Sequence, residues 1–322
     1  MLASPALTGC HASAPYEESR LLMDTVVRIE AYGPRAREAV EAAFAEFTRL
    51  DQLWNPYDEE SELARINRAA GRGPVAASPD TLRVLETSLE VAARTGGAFD
   101  PTIGPLVRLW GFGEQAAPQP PAPAAIARER ALVDYRLVRL DAGSGTVELP
   151  RAGMALDLGA IAKGYAVDRA RAIMQQYGVS RALITAGGCV YGLGDAPGNR
   201  PWRVAVQHPR DSRAILGVIP VRDLAVDTSG DYQRFFEADG TRYHHVIDPR
   251  TGYPARACQS ATVLHPSAQW ADALATACMV LGPERALALV ETVPGAALLL
   301  VDERGQLHRT PDLPWEEASH GR

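Results

Sequence analysis

The chain has 322 residues, 46% of them hydrophobic and 22% charged, an ordinary globular composition with length for one large domain or two modest ones. A formal net charge of -6 and the lack of any local basic cluster exclude nucleic acid as a leading partner. No stretch reaches the roughly 18 apolar residues that a membrane-spanning helix needs, so a membrane tie would have to come from something other than a span.

In chain order, the four cysteines begin with Cys10, which closes Leu7-Thr8-Gly9-Cys10. That run looks like a lipobox, the small-residue signal after which bacterial lipoproteins are cleaved and acylated. Residues 1–9 lack the positive and apolar stretches of a full secretory signal, so residues 1–20 read as a truncated signal and spacer. The expectation is a periplasmic protein anchored to the inner membrane by a lipid on Cys10. Cys189, Cys258 and Cys278 form no CxxC pair and no cysteine-histidine spacing typical of zinc.

Met23 to Tyr32 alternates as a half-buried strand would. Arg35–Asp51 and Ser78–Thr95 carry apolar residues at helical spacing, with Ser78 and Asp80 available as caps. Between them a polar loop holds Trp54, Tyr57 and Asn67. Ala116–Ala124 reads as an exposed connector, followed by a short helix over about 125–133. Short strands are expected within Tyr135–Leu158, and a helix over Gly159–Tyr177. Further strands fall at 181–186, 202–207, 214–221 and 241–247, the last ending in a turn at Asp248–Gly252. Two helices, Ser267–Leu281 and Glu284–Thr292, and a strand near Ala296–Val301 complete the pattern. Strands and helices interleave without a regular βαβ repeat, so the fold class is α+β rather than a doubly wound sheet. The main domain is expected over 21–308, with a loose tail over 309–322.

Several segments carry chemistry. Asp272 and Thr276 stand four apart on a predicted helix and so project from one face, one turn apart. A carboxylate and a hydroxyl placed this way offer two hard oxygens to magnesium, which usually shares itself between one or two carboxylates and substrate phosphates. The same spacing also suits an Asp stabilising a helix N-terminus and a Thr bonding back to a carbonyl, and spacing alone favours that blander use. Of the 33 basic residues, 32 are arginine and only Lys163 is lysine. It is either a chance survivor or a position that needs a compact ammonium rather than a planar fork. Asp157-Leu158-Gly159-Ala160-Ile161-Ala162-Lys163 places a carboxylate at an expected strand end and that lysine in the first turn of a helix. A cation there is unfavourable unless an anionic ligand joins it. Gly96-Gly97 and Gly187-Gly188 permit close backbone approach, but neither belongs to a GxGxxG fingerprint or a P-loop, so a Rossmann or Walker-type site lacks support. Thr228-Ser229-Gly230-Asp231-Tyr232 reads as a polar turn, and His245 lies at a strand end, where a structural role and a catalytic one are both open.

Together these stretches resemble the ApbE family of FAD:protein FMN transferases. The resemblance runs from about Leu22 to Thr292 and rests on Met23-Asp24-Thr25, Tyr57–Asn67, Gly97–Gly113, Leu156–Ala170, Pro201–Pro209, Thr228–Tyr232, His245–Tyr253 and Ala271–Ala277. It implies that Met23, Tyr57, Ala98, Phe99, Asp100, Asp157, Lys163 and Val246 contact FAD. It also implies that the Ala160 carbonyl and the side chains of Asp272 and Thr276 bind Mg2+. Cys189 departs from the pattern, since an acidic or polar residue is more usual there, and Asp24 replaces a common glycine.

The implied reaction moves the FMN half of FAD to a serine or threonine hydroxyl of an acceptor protein and releases AMP. Lys163 would share the developing charge, and His245, with an ordinary pKa near 6.5, would accept the hydroxyl proton. Asp231 and Asp248 remain alternatives for that proton. Two rival readings are a Mg-dependent FAD pyrophosphatase, with water as acceptor, and a non-catalytic FAD-binding lipoprotein.

Overall fold

The computed structural model describes residues 14–112 and 119–318. The Leu7–Cys10 motif and Gly113 lie outside them. β1 (Tyr16–Leu22) and β2 (Thr25–Tyr32) form a hairpin whose two turn residues, Met23 and Asp24, have φ of 52° and 55°. α1 (Ala36–Trp54) buries Val40, Phe44, Phe47 and Leu50 along one stripe. α2 (Glu62–Arg68) is capped by Ser61, β3 (Val75–Ala76) follows, and α3 (Pro79–Arg94) is capped by Ser78. α4 (Gly104–Trp110), α5 (Pro123–Arg130), β4 (Arg139–Asp141) and β5 (Thr146–Glu148) lead to α6 (Ala162–Gln176). Next come β6 (Arg181–Ala186), β7 (Cys189–Leu193), β8 (Trp202–His208), β9 (Asp211–Val221) and β10 (Leu224–Gly230). β11 (Phe235–Ala238), β12 (Thr241–His244) and β13 (Cys258–His265) precede α7 (Ala268–Leu281) and α8 (Pro283–Val290). β14 (Ala297–Asp302), β15 (Leu307–Arg309) and β16 (Glu316–Glu317) complete the described chain.

Eight strands form one antiparallel sheet in the order β1-β2-β6-β7-β10-β13-β14-β15. Side chains alternate between its two faces. Ala225, Val263, Leu298 and Leu300 join the main core with residues of α1, α6 and α7. Their neighbours Val226, Leu264 and Leu299 pack with Trp202, Val206, Ile219 and Val221 of the small sheet β16-β9-β8. The result is helices, large sheet and small sheet in three layers. This is the expected α+β class; the only parallel pairing among the described residues is an isolated bridge between Ile103 and Ala155.

Several local expectations need correction. Strand β1 starts at Tyr16, inside the segment read as a spacer. It is an edge strand, mostly exposed and rich in charge, so its composition hides its pairing. The tail is not loose throughout: Glu316 and Glu317 pair with Val218 and Gly217 of β9, and Leu313 is buried in the second core. The segment holding Tyr57 and Asn67 contains α2, and Thr228 to Gly230 ends β10 rather than forming a turn. Asp157 sits in a loop, not at a strand end, and α6 begins only at Ala162.

Gly164 sets how closely α6 meets α7. A Cβ there would run into the Ala268 carbonyl and lie 2.8 Å from the Gln269 Cα. Gly164→Ala should therefore lower stability by about 1–3 kcal/mol through overpacking, despite alanine's better helix propensity. Urea unfolding of the variant beside the parent checks this; an unchanged midpoint would refute the close-approach account.

Candidate functional site

The site grows from the contact between the first turn of α6 and the middle of α7. Asp272, 2% exposed, accepts the Gly164 N–H on Oδ2 at 2.9 Å. That N–H belongs to the first turn of α6, where a helix supplies no partner of its own. Here the carboxylate takes it, and among the described residues no backbone N–H donates to the Ala160 carbonyl. One turn along α7, the Thr276 hydroxyl lies 3.3 Å from the Ser229 hydroxyl on β10. Asp272 and Thr276 thus present two oxygens from one face of α7 beside the first turn of α6, and the Ala160 carbonyl belongs to the loop that leads into that turn. Among the described residues no three His, Cys, Asp or Glu side chains converge as a metal cluster, so a cation here would depend on a hydroxyl and a carbonyl as well.

Lys163 donates from Nζ to the Gly159 carbonyl at 2.7 Å and lies 3.7 Å from Asp272 Oδ1. Burial pulls its pKa down, but the Asp272 and Asp227 carboxylates outweigh that, so the net shift is upward and the ammonium stays charged. Asp157 is held above the ordinary carboxylate range by burial, against the Gly159 N–H at 2.9 Å and the charge of Lys163. Its loop is fixed from both sides. Asn67 exchanges two hydrogen bonds with the Leu156 backbone, at 2.7 and 3.0 Å, and the Asp157 N–H donates to the Pro101 carbonyl.

The remaining expected flavin contacts are distributed unevenly. Met23 sits in the tight hairpin turn, and left-handed backbone at two consecutive non-glycine residues is a costly conformation that tends to mark functional positions. Ala98 and Phe99 are buried in the main core. Asp100 is occupied internally, accepting from the Thr102 N–H, the Thr102 hydroxyl and the Tyr135 N–H. These three positions therefore have little side-chain capacity left for a ligand. Tyr57 is 78% exposed on the loop after α1, and no side-chain hydrogen bond among the described residues holds its hydroxyl. Val246 is buried beside His245.

The three candidate proton acceptors separate clearly. Asp231 is gripped by both guanidinium nitrogens of Arg210 at 2.7 and 2.6 Å. Asp248 is held in the same way by Arg250, at 2.8 Å twice. His245 makes no such pair, and its Nδ1 is buried without a hydrogen-bond partner. Burial, with the charges of His244, Arg234 and Lys163, pushes its pKa down to about 3. The imidazole is neutral at pH 7 as a proton acceptor requires, but it is a weaker base here than the ordinary value of 6.5 suggested.

Two residues escaped the sequence reading. Asp227 on β10 is 2% exposed and its Oδ1 has no partner. A carboxylate after the apolar run Leu224-Ala225-Val226 was the available signal. Arg234 donates to the Asp24 carbonyl at 3.2 Å, and its charge reaches Asp157, Lys163 and His245. Only the folded chain reveals that placement.

With fold and site in view, the chain belongs to the ApbE family, whose model matches residues 23–300. A Treponema pallidum protein named FAD:protein FMN transferase is 39% identical over 305 residues, covering 89% of this chain and 84% of its own length. An Escherichia coli protein of the same name is 36% identical over 281 residues, covering 86% and 80%. The crystal structure of the ApbE protein from Thermotoga maritima superposes with a TM-score of 0.86 at 35% identity, covering 92% of this chain and 97% of that one. The flavin transferase ApbE from Vibrio cholerae gives 0.83 at 30% identity, covering 93% and 97%.

The electrostatics of His245 lead to a pH test. Its folded pKa lies below the unfolded value, so the folded state binds fewer protons; the resulting stability is present above about pH 6.5 and is lost as pH falls toward 3. Proton NMR of the ring in the ligand-free protein should show no titration of His245 between about pH 5 and 8. A midpoint near 6.5 would contradict the desolvated placement.

Proposed function

We propose that this transferase moves FMN from FAD to a serine or threonine hydroxyl of an acceptor protein, with magnesium, and releases AMP. The observation that carries the reading is the meeting of Lys163 and Asp272 where the first turn of α6 touches α7. Relatives named for this activity and covered over most of their length support it. Asp272, Thr276 and the Ala160 carbonyl would hold the cation, and their oxygen chemistry fits Mg2+. Bound there, Mg2+ would supply charge stabilisation to the pyrophosphate as it breaks.

The chain's own residues perform the rest. Lys163, restrained by the Gly159 carbonyl, presents an ammonium to the pyrophosphate oxygens. The acceptor oxygen forms a bond to the phosphorus on the FMN side while the bond to the bridging oxygen breaks, and AMP leaves with that oxygen. The hydroxyl proton passes to neutral His245, because Asp231 and Asp248 are held by arginines. Positioning and charge neutralisation carry such a transfer.

The test is transfer of FMN to an acceptor peptide, scored by covalent flavin fluorescence, with AMP measured beside it. AMP release should require the acceptor; equal release without it would favour the pyrophosphatase. Asp272→Ala should lose on the order of 100-fold or more in rate with its fold intact. Lys163→Arg, which keeps the charge but widens the head, should lose about 30- to 150-fold, or roughly 2–3 kcal/mol. Parent-like rates in both variants would sink the site assignment.

Localisation is a separate proposal: lipid on Cys10 tethers the protein to the periplasmic face of the inner membrane. Cys10→Ser expressed from the native gene should move the protein to the soluble fraction. Unchanged membrane association would remove the proposal.

A further inference from the structure

The buried carboxylate of Asp227 has no part in the site as described above. Its position follows from the strand register. Residues of β10 alternate, and Ala225 faces the helical layer, so Asp227 and Ser229 face it too. Ser229 reaches Thr276 on α7. Asp227 lies two residues back along the strand, about 6.6 Å, while Asp272 lies four residues back along the helix, about 6 Å. The two spacings match, which sets Asp227 against Asp272 as Ser229 is set against Thr276. The electrostatics agree, since Asp272 and Lys163 are the charges that act most strongly on Asp227. Directly across the ladder from Asp227 stands Cys189, whose buried thiol is its one hydrogen-bonding neighbour there.

Two carboxylates therefore share one pocket with a single lysine, and Lys163 comes within ion-pair distance of Asp272. Asp227 has no ion pair among the described residues, and its Oδ1 accepts nothing. Cys189 is a weak thiol donor, and a native fold seldom leaves the other oxygen of a carboxylate 2% exposed without any partner unless a ligand completes it. We infer that Asp227 is a second carboxylate of the cation site, facing the same divalent ion as Asp272. This rests on the magnesium reading above and extends it to a residue outside the Ala160, Asp272 and Thr276 set. Two carboxylates and a hydroxyl make a harder, more anionic cradle than one carboxylate does, and they raise affinity for Mg2+ before the pyrophosphate arrives.

Mn2+ binding followed by electron paramagnetic resonance, on the protein saturated with FAD and corrected for FAD alone, tests the inference without any turnover. The parent, Asp227→Asn and Asp272→Asn are compared, with thermal melting of each in chelator. Asp227→Asn should weaken Mn2+ by about tenfold or more. In chelator its melting temperature should equal or exceed the parent's, because an uncompensated buried carboxylate has been removed. A smaller loss of affinity overturns the inference, as does a lower melting temperature with unchanged affinity, which would make Asp227 structural. If Asp272→Asn loses the ion and Asp227→Asn keeps it, the magnesium reading stands and this extension alone falls. If the parent binds no Mn2+, both fall. Should Asp227→Asn not fold, Asp227→Ser is judged by the same readings.

Discussion

The hydrogen bond from the Gly164 N–H to Asp272 is the contact on which the rest of the site depends. It exists because residue 164 has no side chain, which lets the first turn of α6 close on the backbone of α7 at Ala268 and Gln269. Three consequences follow from that approach. Asp272 is fixed in one orientation by a backbone donor, a first-turn N–H of α6 is satisfied from outside its own helix, and Lys163 is delivered beside the carboxylate. A helix N-terminus ordinarily leaves N–H groups unsatisfied; here one of them is satisfied by the side chain that also serves the site. Preorganisation is thus achieved by packing, which is rigid, rather than by a loop.

Charge balance explains why the pocket tolerates so much buried polarity. Asp272 and Asp227 together outweigh Lys163, and without further positive charge burial and Asp272 push Asp227 up to about 8. The pocket is therefore built for a more positive content than the bare chain supplies. Lys163 keeps its charge for the same reason, because neighbouring carboxylates outweigh its loss of water. On the proposed magnesium reading, a divalent cation between the two carboxylates would favour their ionised forms.

How much of this was legible in the chain depends on the range of the interaction that fixes each part. The long amphipathic helices α1, α3 and α7 carry their own periodicity, and the sequence reading placed them within a few residues. That Asp272 and Thr276 share one helix face was readable for the same reason, but spacing alone favoured a cap and a back-bond, and a cation role was implied only by the family resemblance. β1 and the pairing of Glu316–Glu317 were not, because their partners lie far along the chain and their own residues are mostly exposed. Asp227 was hidden by a boundary error: with Thr228–Gly230 read as a turn, the carboxylate before it had no strand face to occupy. Asp157 was placed at a strand end because apolar residues flank it, whereas its loop is actually held by Asn67 from α2, 89 residues away for the nearest partner, Leu156.

The choice among proton acceptors shows what geometry adds to residue type. On ordinary pKa values, His245 was preferred for its closeness to neutrality, and Asp231 and Asp248 competed with it. The structure changes the grounds on which the three compare. Both aspartates hold bidentate arginines, which occupy the lone pairs a proton would need. His245 is favoured because it is unpaired and neutral, with its basicity reduced by burial and by three nearby positive or polar groups. A substrate that brings negative charge next to Arg234 and Lys163 offsets the repulsion those cations exert on an imidazolium. The pKa of His245 then rises toward the range useful for a base as the complex assembles. Basicity on this account is conferred by substrate binding, and the free enzyme keeps a histidine that is neutral and largely inert.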